Sequence, residues 1–362
     1  MMKKSPQKLL VYSALLSAQV IFGISAVIGT IGLPSFHPLT FALVREANAT
    51  LLLLIAAHIV SIHAGRTKGL LSGNMKQDWK VIFISGLGIF MSQAFYIAGI
   101  KLSSAVSASV WQPSQPIITA GVCMMMGWEP YNFHRVLGIL VAFLGCSIMV
   151  LGGGNVTGES LGGEGIDVGA FSSLMGQVAF LINCFGSSLY VLASKRVLAT
   201  GRYESVAVTA WSYLVATGIM AVFAVVLSWS KTMSTFLCHD CEGSVWRVPG
   251  SAVPALIWYI IMTSSTAYGL ITWANKYASS SLVSGYTVVQ PVASAILIQV
   301  LVTFGVYESC SVGVDGTSTR NLMLSTGRAL SDLVKPCLDE PDLYTAFGAI
   351  GVVTGKLISS YI

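Results

Sequence analysis

The sequence predicts an all-α polytopic membrane protein whose ten transmembrane helices form two inverted five-helix repeats. The first observation is composition: 54% of the 362 residues are hydrophobic and 10% are charged, whereas about 25% are charged in an ordinary soluble domain. The second is a series of apolar stretches close to the ~20 residues that a helix needs to cross the hydrocarbon core. The third is a polar motif that occurs once in each half of the chain.

The apolar stretches recur along the whole chain, and charges gather in short gaps between them. The ten spans are expected at about 9–30, 38–60, 81–100, 103–127, 135–153, 168–193, 203–229, 252–275, 279–305 and 343–361. Residues 1–153 are expected to form the first repeat, and 154–167 a glycine-rich outward linker. Residues 168–362 are expected to form the second repeat, with an outward insertion near 306–341.

The distribution of charge predicts the orientation. With the amino terminus in the cytosol, the cytosolic side holds thirteen basic and three acidic residues, and the opposite side holds six basic and eleven acidic residues. Cytosolic loops of membrane proteins carry an excess of Lys and Arg. Both termini are therefore expected in the cytosol, and the cytosolic loops account for the net charge of +5.

Four cysteines fall in two long loops that this orientation puts outside. Cys310 with Cys337 and Cys238 with Cys241, or cross-pairs, are candidate disulfides because disulfides persist in oxidising compartments; free thiols are the alternative. The CHDC stretch lacks the second pair that a zinc site needs, so no metal is expected. Asn155 begins a glycosylation acceptor pattern in a third outward loop. These features favour the plasma membrane or an endomembrane of a eukaryote.

The repeated motif reads KLSSAVSASVWQPSQP at 101–116 and KYASSSLVSGYTVVQP at 276–291, with five of sixteen positions identical. The copies lie in the fourth and ninth predicted spans, so the repeat unit contains five helices. Because five is odd, the second copy must cross the membrane in the opposite sense, as in the inverted repeats of many carriers. The binding site of such folds lies near the midplane at the repeat interface.

Within each copy, an aromatic residue lies four positions before a glutamine, and such pairs share a helix face. The pairs are Trp111 with Gln115 and Tyr286 with Gln290. A proline following each glutamine removes a backbone hydrogen bond, and freed backbone groups are tolerated in lipid only against protein or a water-filled cavity. Helix kinks are expected at Pro113, Pro116 and Pro291. Cavity lining is therefore the interpretation of the paired motif, and ordinary packing kinks are the alternative.

Three longer stretches add to this pattern: HPLTFALVREANATLLLLIA, GWEPYNFHRVLGILVAFLGCSIMVLG and YIIMTSSTAYGLITWANKYASSSLVSGYTVVQPVASAIL. In order and spacing they resemble the EamA-type branch of the drug/metabolite transporter superfamily, in a layout similar to plant members that move amino acids and auxin-like acids. The chain departs from the family in the about 34 residues that separate Glu308 from the tenth helix. The resemblance implies a carrier that moves a small organic metabolite by alternating access, either facilitated or proton-coupled.

Arg45 and Glu46 are the only consecutive charges inside a predicted span. Ionisable groups within a membrane are expensive and indicate functional sites by default. Two roles are open for Arg45: it attracts a substrate carboxylate, or it locks the second helix through a backbone group or a carboxylate. Glu46 is a candidate proton carrier, because burial favours the protonated form of a carboxyl group. Successive helical residues point about 100° apart, so the two are expected to have different partners.

Polar and aromatic side chains within the spans are candidates for lining the cavity. The predicted substrate-binding set is Arg45, Gln93, Tyr96, Trp111, Gln115, Asn183, Tyr268, Tyr286 and Gln290. Further candidates are Gln19, Trp211, Trp273 and Asn275, for which ordinary interhelix contacts are the alternative. Such a cavity is poor in fixed positive charge, which disfavours phosphorylated sugars because their dianion needs several Lys or Arg. It favours amino acids, aromatic compounds or neutral metabolites.

The alternative function is a non-transporting membrane receptor or scaffold that retains a transporter fold. A membrane enzyme is disfavoured because no His cluster lies within the spans and no paired carboxylates share a helix face. A channel is disfavoured by the lack of rings of like charge. The expected partners are a small organic substrate, the lipid bilayer and protons as the coupling ion; no cofactor or nucleic acid is expected.

Overall fold

A computed structural model describes residues 8–32, 36–63, 75–102, 111–112, 114–128, 168–230, 245–305, 308–309 and 337–338, together with single positions in 133–145 and 350–354. These residues are almost entirely helical. Within the described part of the chain, seven helices are long and apolar enough to cross a membrane. They cover Lys8–Gly29, Pro38–His63, Gln77–Ile100, Leu174–Ala199, Ser205–Ser228, Gly250–Asn275 and Ser280–Thr303.

The first five of these spans are regular helices, and the last two are composite. The regular helices are α1 Lys8–Gly32, α2 Pro38–His63, α3 Met75–Leu102, α5 Val168–Ala199 and α6 Ser205–Ser228, and a shorter helix, α4, covers Ser114–Met125. The eighth predicted span consists of a 3₁₀ turn at Gly250–Ala252, α7 Val253–Trp258, a π-helix at Tyr259–Ala267 and α8 Tyr268–Asn275. The ninth consists of α9 Ser280–Gly285, a 3₁₀ turn at Tyr286–Val288 and α10 Val289–Thr303.

The seven helices correspond to the first, second, third, sixth, seventh, eighth and ninth predicted spans. Helix α4 covers part of the fourth, and the fifth and tenth lie largely outside the described residues, so the count of ten stays a prediction. The linker at 154–167 also lies outside them. Within the insertion at 306–341, the strands β1 Glu308–Ser309 and β2 Cys337–Leu338 pair in parallel.

The burial pattern differs from that of a soluble protein. Large apolar side chains face outwards along the spans: Leu51 is 57% exposed and Val222 is 66% exposed. Polar side chains such as Gln19, Glu46 and Asn275 are buried inside. A lipid environment explains this arrangement, because it satisfies apolar surface and leaves polar groups to pair with one another. The protein is therefore an integral multi-pass membrane protein.

Helices α3 and α5 approach most closely where two glycines meet. A Cβ atom added at Gly88 would lie 2.6 Å from the backbone nitrogen of Tyr190, and one added at Gly186 would lie 2.6 Å from the Cβ of Met91. Helices α1 and α10 meet in a similar way, since a Cβ at Gly23 would lie 2.7 Å from the carbonyl oxygen of Gln290. Small residues allow such close backbone packing between membrane helices.

Contacts between spans of the two predicted repeats occur in matched pairs. When each span is replaced by its counterpart in the other repeat, five spans further along or back, the new pair is also in contact. Helix α3 packs on α5, as the eighth span packs on α1; α5 packs on α4, as α1 packs on α10. Likewise α3 packs on α6, as the π-helix packs on α2. Two five-helix repeats with a two-fold relation would produce this pattern. The repeat boundaries themselves stay a prediction.

Candidate functional site

A cavity of about 80 Å³ lies between two groups of helices. One side is formed by α3, α5 and the start of α4, and the other by α1 with the eighth and ninth spans, while α2 contributes Arg45. The cavity is smaller than the about 300–1,000 Å³ of a typical drug-sized ligand pocket. In this state it accommodates a small molecule or a group of waters.

Seven of the nine predicted substrate-binding residues line this cavity. They are Arg45, Gln93, Tyr96, Gln115, Asn183, Tyr268 and Gln290. Residues separated by up to 245 positions in sequence are thus brought together from six spans. Of the further candidates, Gln19 also lines the cavity, while the side-chain amide of Asn275 donates to the carbonyl of Val191 at 2.7 Å and to the Ser194 hydroxyl at 3.0 Å.

Trp111 and Tyr286 are not among the lining residues. The Trp111 indole donates to Gln177 Oε1 at 2.5 Å, and Tyr286 stacks on Tyr12 with ring centroids 6.4 Å apart. The next residue in each copy lines the cavity instead, namely Gln112 and Thr287.

The local helix geometry accounts for this one-residue shift. A 3₁₀ turn at Tyr286–Val288 has about three residues per turn rather than 3.6. In the other copy, Gln115 N–H donates to the Gln112 carbonyl at 3.1 Å, which is the same three-residue spacing. The face toward the cavity therefore follows positions i and i+3, not the i and i+4 spacing of an α-helix.

The prolines of the motif lie where new α-helical segments begin. Pro116 is the third residue of α4 and Pro291 the third of α10, and a missing N–H costs little in the first turn of a helix. The carbonyl of Gln115 accepts from the Thr119 hydroxyl at 2.9 Å and from the Ser188 hydroxyl at 3.3 Å. Pro113 lies outside the described residues.

Among the described residues that line the cavity, Arg45 is the one cationic side chain, and it is only 1% exposed. Its Nη2 donates to Gln93 Oε1. The guanidinium carbon lies 5.6 Å from the ring centroid of Phe41 and 5.5 Å from that of Tyr259, within cation–π range. Its Nε has no hydrogen-bond partner among the described residues.

Glu46 is fully buried and is not among the residues that line the cavity. Its Oε1 lies 4.0 Å from Arg45 Nη2. Within the described part of the chain neither carboxyl oxygen has a hydrogen-bond partner. A buried carboxylate without hydrogen bonds is strongly disfavoured against its neutral acid, so this side chain is chemically suited to taking up a proton.

Amide groups form a second feature of the lining. Gln290 Nε2 donates to Gln19 Oε1 at 2.6 Å, which joins α10 to α1. Asn183 Nδ2 donates to the Ser92 carbonyl at 2.6 Å, which joins α5 to α3. Each of these bonds joins helices of the same group, and Asn183 Oδ1 also accepts from Gln112 Nε2 at 3.4 Å.

The π-helix supplies lining residues that sequence reasoning missed. Tyr259 and Thr263 line the cavity from this segment, and Ser25 faces them from α1. The Tyr259 hydroxyl donates to the Ser25 carbonyl at 2.6 Å, and the Ser25 and Thr263 hydroxyls share a hydrogen bond of 2.6 Å. Wide helical turns of this kind are frequent at functional sites. The hydroxyl-rich stretch TSST at 263–266 is the signal that could have revealed them.

Charged side chains close one end of the helix bundle, and we call Asp78, Lys195, Arg202, Glu204 and Lys276 the inner rim. Lys195 Nζ donates at 2.7 Å to each of two carbonyls at the end of the eighth span. Arg202 pairs with Asp78 at 2.8 Å, and Lys276 lies 3.8 Å from Glu204. By the positive-inside pattern, this end is the one expected in the cytosol.

Tyr203 lies in the tight turn between α5 and α6, which also carries Arg202 of the inner rim. Gly201 makes this turn possible because its φ of +66° is in the left-handed region that favours glycine. Burial and the neighbouring Asp78 carboxylate raise the pKa of the Tyr203 phenol above its ordinary value. The phenol therefore stays neutral in the physiological pH range, and the fixed charges at this turn are those of Asp78, Arg202 and Glu204.

Several predicted features fall on residues that the structure does not describe. These are Cys238, Cys241, Cys310 and Asn155. Cys337 lies in β2, opposite Glu308 in the strand register. Among the residues that are described, no group of three or more His, Cys, Asp or Glu side chains is arranged to hold a metal ion.

Three comparisons with known proteins bear on this architecture. Residues 9–151 match the EamA-like transporter family. A WAT1-related protein of Arabidopsis thaliana is 24% identical over 258 residues, a match that covers 66% of this chain and 64% of that protein. A solved crystal structure aligns with a TM-score of 0.65 and 18% identity over 98% of this chain and 97% of its own. At that identity the likeness to the solved structure shows the fold alone.

Proposed function

We propose that this membrane transporter carries a small organic metabolite by alternating access. Residues 9–151 match the EamA-like transporter family, and the chain is an EamA-type member of the drug/metabolite transporter superfamily. The observation that supports the proposal best is the cavity between two groups of helices, with a buried arginine in its lining. A substrate held there would lie between two units that can move against each other.

The cavity lining supports a substrate class. Its side chains are mostly amides, hydroxyls and aromatic rings, and its cation is Arg45. A single guanidinium suits one carboxylate, whereas a phosphate dianion is held by several cations. We therefore favour amino acids, aromatic compounds or neutral metabolites, with the predicted set and Gln112, Thr287, Tyr259 and Thr263 as the candidate contacts.

Arg45 and Glu46 suggest how transport could be driven. The proposed coupling requires Glu46 to be ionised at one stage of the cycle: an ionised Arg45 and an ionised Glu46 carry no net charge, so a substrate carboxylate that arrives then would leave one negative charge in a buried site. Uptake of a proton by Glu46 would remove that charge. Coupling of one proton to one carboxylate follows from this balance, and Glu46 is the proposed carrier of the proton.

The helix packing suggests which parts move. Helices α3 and α5 are joined at Gly88 and Gly186, and α4 packs on α5. Helix α1 is joined to α10 at Gly23 and also packs on the eighth span. We propose that these two groups rock as units about the cavity. Lys195 joins them on the inner rim, so its bonds would break when the cavity opens on that side.

We also propose an orientation in the membrane and a cellular location, both inferred from the sequence. Both termini would lie in the cytosol, and the inner rim would be cytosolic. The plasma membrane or an endomembrane of a eukaryote is proposed from the candidate disulfides and the Asn155 acceptor pattern.

Efflux from proteoliposomes tests the proposed function. Vesicles containing the purified chain are loaded with a mixed pool of amino acids, aromatic acids and neutral metabolites, and the medium is read by mass spectrometry. The proposal expects one class to leave, and the double variant Gln115→Ala/Gln290→Ala to slow its exit at least about tenfold, since both side chains line the cavity. Binding of a metabolite without efflux at either sign of the pH gradient would favour the receptor or scaffold function instead.

A further inference from the structure

We infer that the side-chain amide of Gln93 is an internal stand-in for the carboxylate of the substrate: it accepts a hydrogen bond from the Arg45 guanidinium and is displaced when a monocarboxylate binds. This inference rests on the proposed function, because it assumes that Arg45 receives a substrate. It adds the identity of the recognised group and a residue that sets affinity for it.

The geometry of the guanidinium is the first step. Nε–H and one Nη2–H point to the same side of the planar group, and a carboxylate with two oxygens fits that edge with two parallel hydrogen bonds. In this structure Nη2 donates to Gln93, whereas Nε has no partner among the described residues. The two nitrogens of this edge therefore share one partner among the described residues, an amide that offers one acceptor oxygen.

Burial makes the lack of a partner for Nε among the described residues significant. The Arg45 side chain is 1% exposed, and Gln93 is 5% exposed. Unsatisfied buried donors on a charged group are costly, so a ligand that satisfied both nitrogens would gain what the amide leaves unused. Both residues line the cavity, so a ligand that enters it lies next to them, and displacement of the Gln93 amide would open the way to the guanidinium.

The groups around Arg45 favour a single carboxylate over larger anions. Phe41 and Tyr259 contribute ring faces at 5.6 Å and 5.5 Å from the guanidinium carbon, not further cations. Among the described residues that line the cavity, Arg45 is the one cation, so a second negative charge on the ligand would lack a counter-charge. One carboxylate, with the rest of the molecule against aromatic rings and amides, is the chemistry that this arrangement recognises.

If Gln93 competes with the substrate for Arg45, two substitutions of Gln93 should change the affinity for a carboxylate in opposite directions. Gln93→Met keeps the approximate size but removes the acceptor, so a carboxylate no longer has to displace it, and binding should tighten about tenfold. Gln93→Glu brings a permanent carboxylate to the same edge, and binding should weaken at least about tenfold. If Gln93 merely held Arg45 in position, the methionine variant would bind more weakly than the original chain.

The experiment measures equilibrium binding to the purified full chain in detergent. The probes are acetate, lactate, benzoate and alanine, each compared with its amide. Gln115→Met is the matched control, since it changes another cavity glutamine that has no bond to Arg45 in this structure, and it should affect acid and amide alike. Thermal unfolding of each variant shows which of them are folded, and if Gln93→Glu does not fold, the sign of the Gln93→Met effect alone decides.

The inference predicts that at least one acid binds better than its amide, that Arg45→Gln removes this preference, and that Gln93→Met increases it. It is overturned if no acid is preferred, or if Gln93→Met weakens acid binding. The carrier function fails separately: it is lost if the metabolite efflux described above is absent, whatever Gln93 does. Efflux of a neutral metabolite without any preference for acids would support the carrier function and contradict the proposed role of Gln93.

Discussion

Gly88 of α3 and Gly186 of α5 cross with no side chain between them. A Cβ at Gly88 would lie 2.8 Å from the Gly186 carbonyl, and a Cβ at Gly186 would lie 2.9 Å from the Gly88 carbonyl. The two backbones are therefore in direct contact at the level of Ser92, which borders the cavity. The crossing fixes the distance between the two helices that carry Gln93 and Asn183, so the spacing of these two cavity groups depends on it.

Gly186→Ala is expected to destabilise the protein by about 1–3 kcal/mol, which is the usual cost of overpacking. The new methyl group would lie 2.7 Å from the Ser92 backbone nitrogen, which cannot move without shifting α3. Thermal and denaturant unfolding in detergent measure the change.

Gly218→Ala is the matched control for this substitution. It lies in α6, where nothing is within 4 Å of an added Cβ, and alanine is favoured over glycine in a helix by about 0.5–1 kcal/mol. Equal stability of Gly186→Ala and Gly218→Ala would show that the crossing tolerates a side chain and is not tightly packed.

Lys195→Met is expected to lower stability by about 1.5–3 kcal/mol, because hydrogen bonds to a charged group are among the stronger ones. Its ammonium group bonds the Asn275 and Ala278 carbonyls at 2.7 Å each and links α5 to the end of α8. Lysine at a helix C-terminus is also favoured by the helix dipole. Unfolding free energy again gives the readout.

Lys276→Met serves as the comparison on the same rim. Its partner Glu204 is 3.8 Å away, and both side chains are about a quarter exposed, so this pair should contribute less than about 1 kcal/mol. A loss at Lys276 as large as that at Lys195 would contradict the special role of the two carbonyl bonds.

The spans and their polar interior could be predicted from the sequence because both depend on composition over about 20 residues. Arg45 and Glu46 stood out for the same reason: a charge in an apolar stretch is conspicuous without any knowledge of its neighbours. The structure brings Arg45 together with Gln93 and Gln290, which the sequence had indicated through polarity and through the repeated motif.

The local helix geometry could not be predicted. The π-helix at Tyr259–Ala267 and the 3₁₀ turn at Tyr286–Val288 depend on contacts with distant helices, such as the bond from Tyr259 to the Ser25 carbonyl. A spacing argument assumes a uniform 3.6 residues per turn. That assumption selected Trp111 and Tyr286, whereas the cavity is lined by Gln112 and Thr287.

Gln112→Met is therefore expected to raise the half-saturation concentration of transport about threefold to tenfold, since it removes one amide from the cavity. Trp111→Phe should leave that concentration within about twofold and instead lower stability by roughly 1 kcal/mol, because it removes the bond to Gln177. Transport kinetics and unfolding of both variants measure the two effects. The reverse pattern would mean that the transporting state presents Trp111, not Gln112, to the substrate.

Glu46→Gln is expected to abolish the dependence of transport on a pH gradient while leaving flux down a substrate gradient. The amide has nearly the shape of the carboxylic acid but cannot release a proton. Because neither oxygen of Glu46 has a hydrogen-bond partner among the described residues, no described hydrogen bond would be lost. The measurement is counterflow and net uptake in proteoliposomes at equal and unequal pH on the two sides. Because the proposed uptake of a proton by Glu46 would offset the carboxylate charge beside Arg45, the original chain should bind acids more tightly as the pH falls, and the variant should lack this tightening. Full proton dependence in Glu46→Gln would exclude this side chain as the proton carrier, and would leave Arg45 as a substrate anchor in a carrier driven by the substrate gradient alone.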